Sequence, residues 1–466
     1  MSTPPTRPEH APPPGAPVSV PYPDPPRPPS PRPGARGPRR DLYAAGAAAA
    51  LFVLAALVGH LLYDSEVLRL RWPPLYARWL PHTGPGTPAA LCFAVLTVAY
   101  GPPLAHRLPW RRLLFTAWGG AMAWAWSLAL VDGWDRGAAG RLTTKYEYLR
   151  SVGDVHDIGL ALRTFTDHIL MDSPGNWPAH VAGHPPGALL TFVGLDRIGL
   201  GGGAWAALWC VTLGASAAAA VLVTLRALCG EGTARRAAPF LVLAPSAVWT
   251  AVSADGYFTA VAAWAVALLA LSATGACRAP RAAALGSGAL FGWLVYLSYG
   301  LTLMAAVALA VLAAARTARP VPYVLLGMAP CAVAFTAAGF WWYEGYTTLV
   351  ERYYQGAAGV RPYAYYVWAN LAAQVPVVGL AAVAGLRRAA ELRRGALVVL
   401  LAGAVCAVLV ANLSGMSKAE TERIWLPFAL WLLPAAALLP ASGRRWWLAA
   451  QAAVALAVNH LLLTGW

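Results

Sequence analysis

The stretch from Asp132 to Gly187 carries a set of carboxylates, Asp132, Asp135, Glu147, Asp154 and Asp157. A carboxylate held out of bulk water can act as a general base, taking the proton from a hydroxyl as its oxygen attacks carbon. Glu147 lies between Tyr146 and Tyr148, whose rings would desolvate it and raise its pKa toward a useful range. His184 opens the run His184-Pro185-Pro186-Gly187, where two prolines fix φ and suit a first helical turn, so the imidazole is held at a helix start. Further on, Asp255 stands in Ser253-Ala254-Asp255-Gly256-Tyr257, and Lys418, Glu420 and Arg423 form a charged cluster running straight into an apolar segment. Arg423 offers the planar fork that grips a phosphate at two points. Each group also has a plainer reading. The loop acids would be solvated charges, His184 incidental to a helix start, Asp255 an N-cap for the helix that follows it, and Arg423 a side chain snorkelling to headgroups. Asp64 and Glu66, in YDSEVLRLRWPPLY, are a smaller rival acidic set.

These groups need a frame to bring them together, and the composition supplies one. Of 466 residues, 58% are hydrophobic and only 12% charged, against roughly 25% charged in soluble proteins. The charges are spaced to leave many uninterrupted apolar runs, which suit a hydrocarbon layer about 30 Å thick. The chain reads as all-α, a polytopic membrane helix bundle, without the alternation of an outer-membrane barrel. The net charge of +15 does not point to nucleic acid, because the basic residues lie in short loops between apolar runs, where they face anionic lipid headgroups. Six cysteines lie in or beside those runs with no CxxC and no histidine at ligand spacing, so neither a disulfide frame nor a metal site is implied.

Residues 1–41 read as a disordered, proline-rich cytoplasmic tail ending in PRPGARGPRR, and 42–466 as the membrane domain. Apolar spans are expected at 42–62, 88–105 and 113–131, which places the loop 132–187 outside the membrane. Thirteen arginines between Arg226 and Arg445 fall in alternate loops, and the intervening loops hold only Arg352, Arg361, Lys418 and Arg423. By the positive-inside rule the first set is cytoplasmic, in a bacterial cytoplasmic membrane, and every candidate group above is extracytoplasmic. The segment 186–200 carries Asp196 and Arg197, ends in GLGGG and is short for a crossing, so it reads as a partial or re-entrant helix. That gives about 13 spans, with an ordered extracytoplasmic loop after the third. Trp134, Tyr146, Tyr148, Phe165 and Trp177 argue for order there, as does helical apolar spacing over 157–171.

Four motifs in order resemble the GT-C superfamily of integral-membrane glycosyltransferases, in particular the lipid A aminoarabinose transferases and protein O-mannosyltransferases. KYEYL at 145–149 looks like their acidic, aromatic-flanked loop motif, and HPPG at 184–187 like the prolyl turn that follows it. LVLAPSAVWTAVSAD at 241–255 is similar to their outer aspartate segment, and ERIWLPFALWLLP at 422–434 to their late arginine and Pro-containing helix. The likeness covers about 130–440. It departs from the family in offering one Glu where an Asp-Glu pair is usual, which leaves the base open among Glu147, Asp154 and Asp157. The resemblance implies an inverting enzyme that moves a sugar from a polyprenyl-phosphate donor to a glycan, lipid or protein acceptor of the envelope. Arg423, with His184 or Lys418, would steady the leaving phosphate, Tyr146, Tyr148, Asp255 and Glu420 would line the substrates, and the lipid tail would lie among the spans. A divalent cation is left open. The rival readings are a secondary transporter, whose inverted repeats and mid-span charges are not evident, and a non-catalytic envelope assembly protein.

Overall fold

The computed structural model describes residues 36–465. Most of the expected tail therefore lies outside the described residues. The first helix, Arg36–Leu62, begins six residues before the expected boundary at 41. Its early start is held by Asp41, which takes short contacts from Arg387 and Arg388 on the helix Tyr363–Leu392.

The described chain is overwhelmingly helical, as an apolar sequence in lipid requires, since a helix satisfies every backbone group within one segment. Seven helices are long and apolar enough to cross a membrane, or nine if each of two bent pairs is one span. This describes a multi-pass membrane protein, but by that measure the expected 13 spans are not reached. The shortfall has a physical source: several apolar segments are short or broken. Glu231–Val242 has Pro239 inside it and runs 12 residues, about 18 Å at 1.5 Å per residue. Val321–Ala337 turns by 72° into Trp342–Gln355, and 426–438 by 112° into 441–461. Where helices meet, small residues let backbones touch. A Cβ on Gly288 would stand 2.1 Å from the Val324 carbonyl oxygen, and one on Gly327 would stand 2.2 Å from that of Leu285.

The candidate groups gather at one end of the bundle, and the long loop builds much of that end. Its Tyr148, Phe165 and Trp177 are buried. The helical spacing over 157–171 is realised only in part, as the helix Ile158–Arg163 and a tight turn at Thr166–His168. The helix Pro186–Arg197 is 12 residues long, short as its sequence suggested, and it stays against the loop. Phe192 stacks on Tyr148 with centroids 5.5 Å apart, and Arg197 donates to the carbonyls of Val155 and His156.

The segment 63–87, carrying the rival acids, packs into the same end. Leu68 and Leu70 are buried with Tyr365 and Tyr366. Ala77–Trp79 pairs antiparallel with Leu462–Thr464, which is the only sheet among the described residues. His82 Nε2 lies 3.1 Å from Asp132, which also accepts from Arg136, so Asp132 joins the two loops.

Candidate functional site

Glu147 is the hub. Its residue is extended, and the tight turn Tyr148–Arg150 follows it and tucks the carboxyl inward, 6% exposed. Its Oε2 meets His180 Nδ1 at 3.1 Å. His180 sits on the one-turn helix Ala179–Ala182, its amide donating to the Tyr146 carbonyl, so loop and helix are tied at this point. His180 Nε2 faces Arg423 Nη2 at 3.3 Å. A guanidinium only donates, so Nε2 is the acceptor and the proton sits on Nδ1, pointing at Glu147. Arg423 in turn pairs with Asp255 through Nη1. A continuous chain, Glu147–His180–Arg423–Asp255, thus draws on four separate segments.

The local structure around Asp255 corrects its plainer reading. Ser253 caps the helix Ala254–Thr274, its Oγ accepting from the Gly256 amide at 3.1 Å. Asp255 lies in the first turn and is left to hold Arg423, itself buried in the short helix Thr421–Ile424. Glu420 precedes that helix with φ of +63° and lies 3.9 Å from Arg423 and 3.5 Å from Arg361. Arg361 was not a sequence candidate. It is buried and donates to the carbonyls of Leu68 and Lys418, joining the first loop to the last. Lys418 stands aside, its Nζ bound to the Ala358 carbonyl at 2.9 Å and lying over the Tyr354 ring.

His184 opens the prolyl turn as expected, with Pro186 the first helical residue. Its Nδ1 donates to the His180 carbonyl at 2.8 Å, and its ring meets Tyr148 and Phe258. Burial pulls its pKa down to about 4, with nearby Asp255 pulling the other way, so this imidazole is neutral at physiological pH. A neutral His184 cannot steady a phosphate by charge. Tyr148 is buried and its hydroxyl has no hydrogen-bond partner among the described residues. Tyr146 is 43% exposed, so the two tyrosines do not bracket Glu147 symmetrically.

The loop acids separate, and the shift expected at Glu147 is reversed. Asp154 and Asp157 are exposed and stand apart from the chain of contacts. Asp157 caps the helix Ile158–Arg163, accepting from the Leu160 amide at 3.1 Å, and the Leu160 and Gly159 amides hold its carboxyl below the usual range. The desolvation expected to raise Glu147 does operate, but the facing His180 together with Arg423 outweighs it and leaves the carboxyl below its ordinary value. Beside the site, Glu422 behaves in the opposite way. It is fully buried, accepts from the Tyr76 amide at 2.7 Å, and is pushed up by burial to about 7.

His180 was missed in the sequence, although a signal was present: HVAGH places His180 and His184 four residues apart, the spacing of neighbours on one helical face. Among the described residues no group of three or more His, Cys, Asp and Glu is arranged to hold a metal ion. The carboxylates of the hub are engaged by His180 and Arg423 instead. Neither a family model nor a curated protein matches this chain.

Proposed function

We propose that the protein is an inverting membrane glycosyltransferase using a polyprenyl-phosphate-linked sugar. The observation that carries this reading is the meeting of Glu147, His180, Arg423 and Asp255 at one end of an apolar helix bundle. Glu147 engages His180 through Oε2, and in this reading Oε1 takes the substrate proton. Oε1 accepts the proton of the acceptor hydroxyl, and the acceptor oxygen attacks the anomeric carbon from the face opposite the phosphate. The bond from that carbon to the phosphate oxygen breaks, and polyprenyl phosphate leaves with the electron pair.

Arg423 answers the negative charge that develops on the leaving phosphate, with Asp255 fixing its orientation. The same arrangement couples donor to base. A phosphate near Arg423 offsets the positive field that holds Glu147 low, so the carboxylate becomes a stronger base when the donor is in place. Leu426 and Leu430, one and two turns beyond Arg423, line a narrow apolar slot with Ala121, Ala125, Val211 and Leu241. Its walls lie among the spans, where an isoprenoid tail would enter by parting them.

The acceptor is an envelope glycan, lipid or protein. The fuller topology of 13 traversals, counting the short and broken helices, puts the amino terminus and the arginine-rich loops in the cytoplasm of a bacterium and the site outside. Mass spectrometry of envelope glycans and lipid-linked sugars, with and without the gene, tests the reading. Loss of one glycosyl unit with accumulation of a polyprenyl-phosphate sugar is the expected result. Identical profiles for both classes would remove the proposal.

A further inference from the structure

A second cavity of about 340 Å³ opens beside the hub, on the far side of the Tyr148–Phe192 stack. That volume falls within the range of about 300–1,000 Å³ that small-molecule sites occupy. Its walls are built rather than left over. A Cβ at Gly201 would stand 2.2 Å from Asp196 Oδ1, Gly202 has φ of +89°, and a Cβ at Gly203 would stand 1.7 Å from the Ala139 carbonyl oxygen. Gly202, through its positive φ, and Gly203, through its contact with backbone, therefore need glycine, and the turn they make with Gly201 holds one face of the cavity in place. Arg150, on the turn that follows Glu147, and Asp196, in the last turn of Pro186–Arg197, line its mouth as exposed residues. Neither side chain has a hydrogen bond or ion pair to another described residue. Leu149, Phe192 and Leu200 supply an apolar surface between them.

We propose that this cavity binds one sugar residue of the acceptor glycan. The inference rests on the transferase reading and adds to it the class of acceptor. A sugar ring has an apolar C–H face and a rim of hydroxyls, which matches apolar walls with one lone donor fork and one lone acceptor. The opposite charges of Arg150 and Asp196 cancel, which favours a neutral ring over a phosphate. The cavity lies one turn of chain from Glu147, which puts a glycan held there beside the loop that carries the base. The charges that made 186–200 an odd candidate for a span are thereby explained, at least for Asp196.

The test uses the full chain in detergent micelles and a panel of maltotetraose, mannotetraose, arabinotetraose and chitotetraose, read by saturation-transfer difference NMR. At least one should bind saturably to the wild-type protein and to Glu147→Gln. Its affinity should fall about tenfold in Arg150→Ala and in Asp196→Asn, the loss expected for one charge-assisted hydrogen bond. In transfer assays the same two variants should raise the acceptor KM by a similar factor and leave the donor KM unchanged. Binding of none of the panel overturns the proposal, as does binding indifferent to both substitutions, or competition by a zwitterionic amino acid instead of a sugar. Arg150-dependent sugar binding without any transfer activity would sink the transferase reading and leave the cavity assignment standing.

Discussion

Asp41 and Glu147 are both buried carboxylates, at opposite ends of the bundle, and their partners differ in a way that separates structure from chemistry. Asp41 takes contacts of 2.6 to 3.0 Å from Arg388 Nε and Nη2 and a further one of 2.8 Å from Arg387. Both its oxygens are occupied by guanidinium groups of one helix, and nothing remains to react. Glu147 meets, among the described residues, an imidazole through Oε2. That imidazole leads on to an arginine and a second acid drawn from two other segments. The first arrangement fastens two helices. The second holds an ionised base in a dry place, kept charged by the imidazole and the arginine around it.

Substitutions at the two acids should therefore give opposite results. Glu147→Gln keeps the shape and removes the base, so sugar transfer should fall by roughly 10²–10⁴-fold, with thermal unfolding nearly unchanged. Asp41→Ala should cost roughly 3 kcal/mol by leaving Arg388 without its counter-ion and Arg387 with Glu391 alone, read by denaturation in micelles, while the folded fraction keeps its transfer rate. If the Asp41 variant lost activity at full stability, the two sites would not be separable as described.

His180→Phe sharpens the comparison through pH. The folded-state pKa of Glu147 lies below its ordinary value, so the ionised form persists as pH falls and activity is lost only as pH drops through that low value. Without the imidazole, burial dominates, the pKa rises, and the acid limb of the rate profile should move to higher pH. The linked stability has the same sign: it is present above the unfolded carboxyl pKa and lost as pH falls through the folded one, and His180→Phe should shrink it. A merely structural His180 would change the rate without moving the limb.

The smallest effect is expected at the other acids of the same loop. Asp157→Ala should lower stability slightly as a lost helix cap, and Asp154→Asn should be nearly silent, with transfer close to wild type in both. Loss of transfer in either variant would return these acids to the list of possible bases.

The contrast between Glu147 and Asp157 also marks how far the sequence could be read. The helical bundle was legible because charge is so sparse, and the order of KYEYL, HPPG, Asp255 and Arg423 anticipated that these segments converge. Which loop acid lies inward was not legible, because that depends on whether the next turn folds the side chain under or leaves it to cap a helix. His180 was hidden because its partners, Glu147 and Arg423, lie far from it in sequence or across a turn. Arg361 and Tyr76 were overlooked for a related reason: their roles are backbone-to-side-chain ties between loops, which leave no periodic pattern. The span count is not confirmed where proline and sharp bends cut apolar segments into pieces too short to qualify singly.

The most direct measurement is transfer by the purified full chain in lipid vesicles, supplied with a radiolabelled polyprenyl-phosphate sugar and an envelope extract as acceptor, wild type beside Glu147→Gln. Label should move to the extract with the wild-type protein, and the Gln variant should bind the donor but leave it intact. Equal transfer by both proteins would contradict the account, because the buried carboxylate on which it turns would then have no part in the reaction.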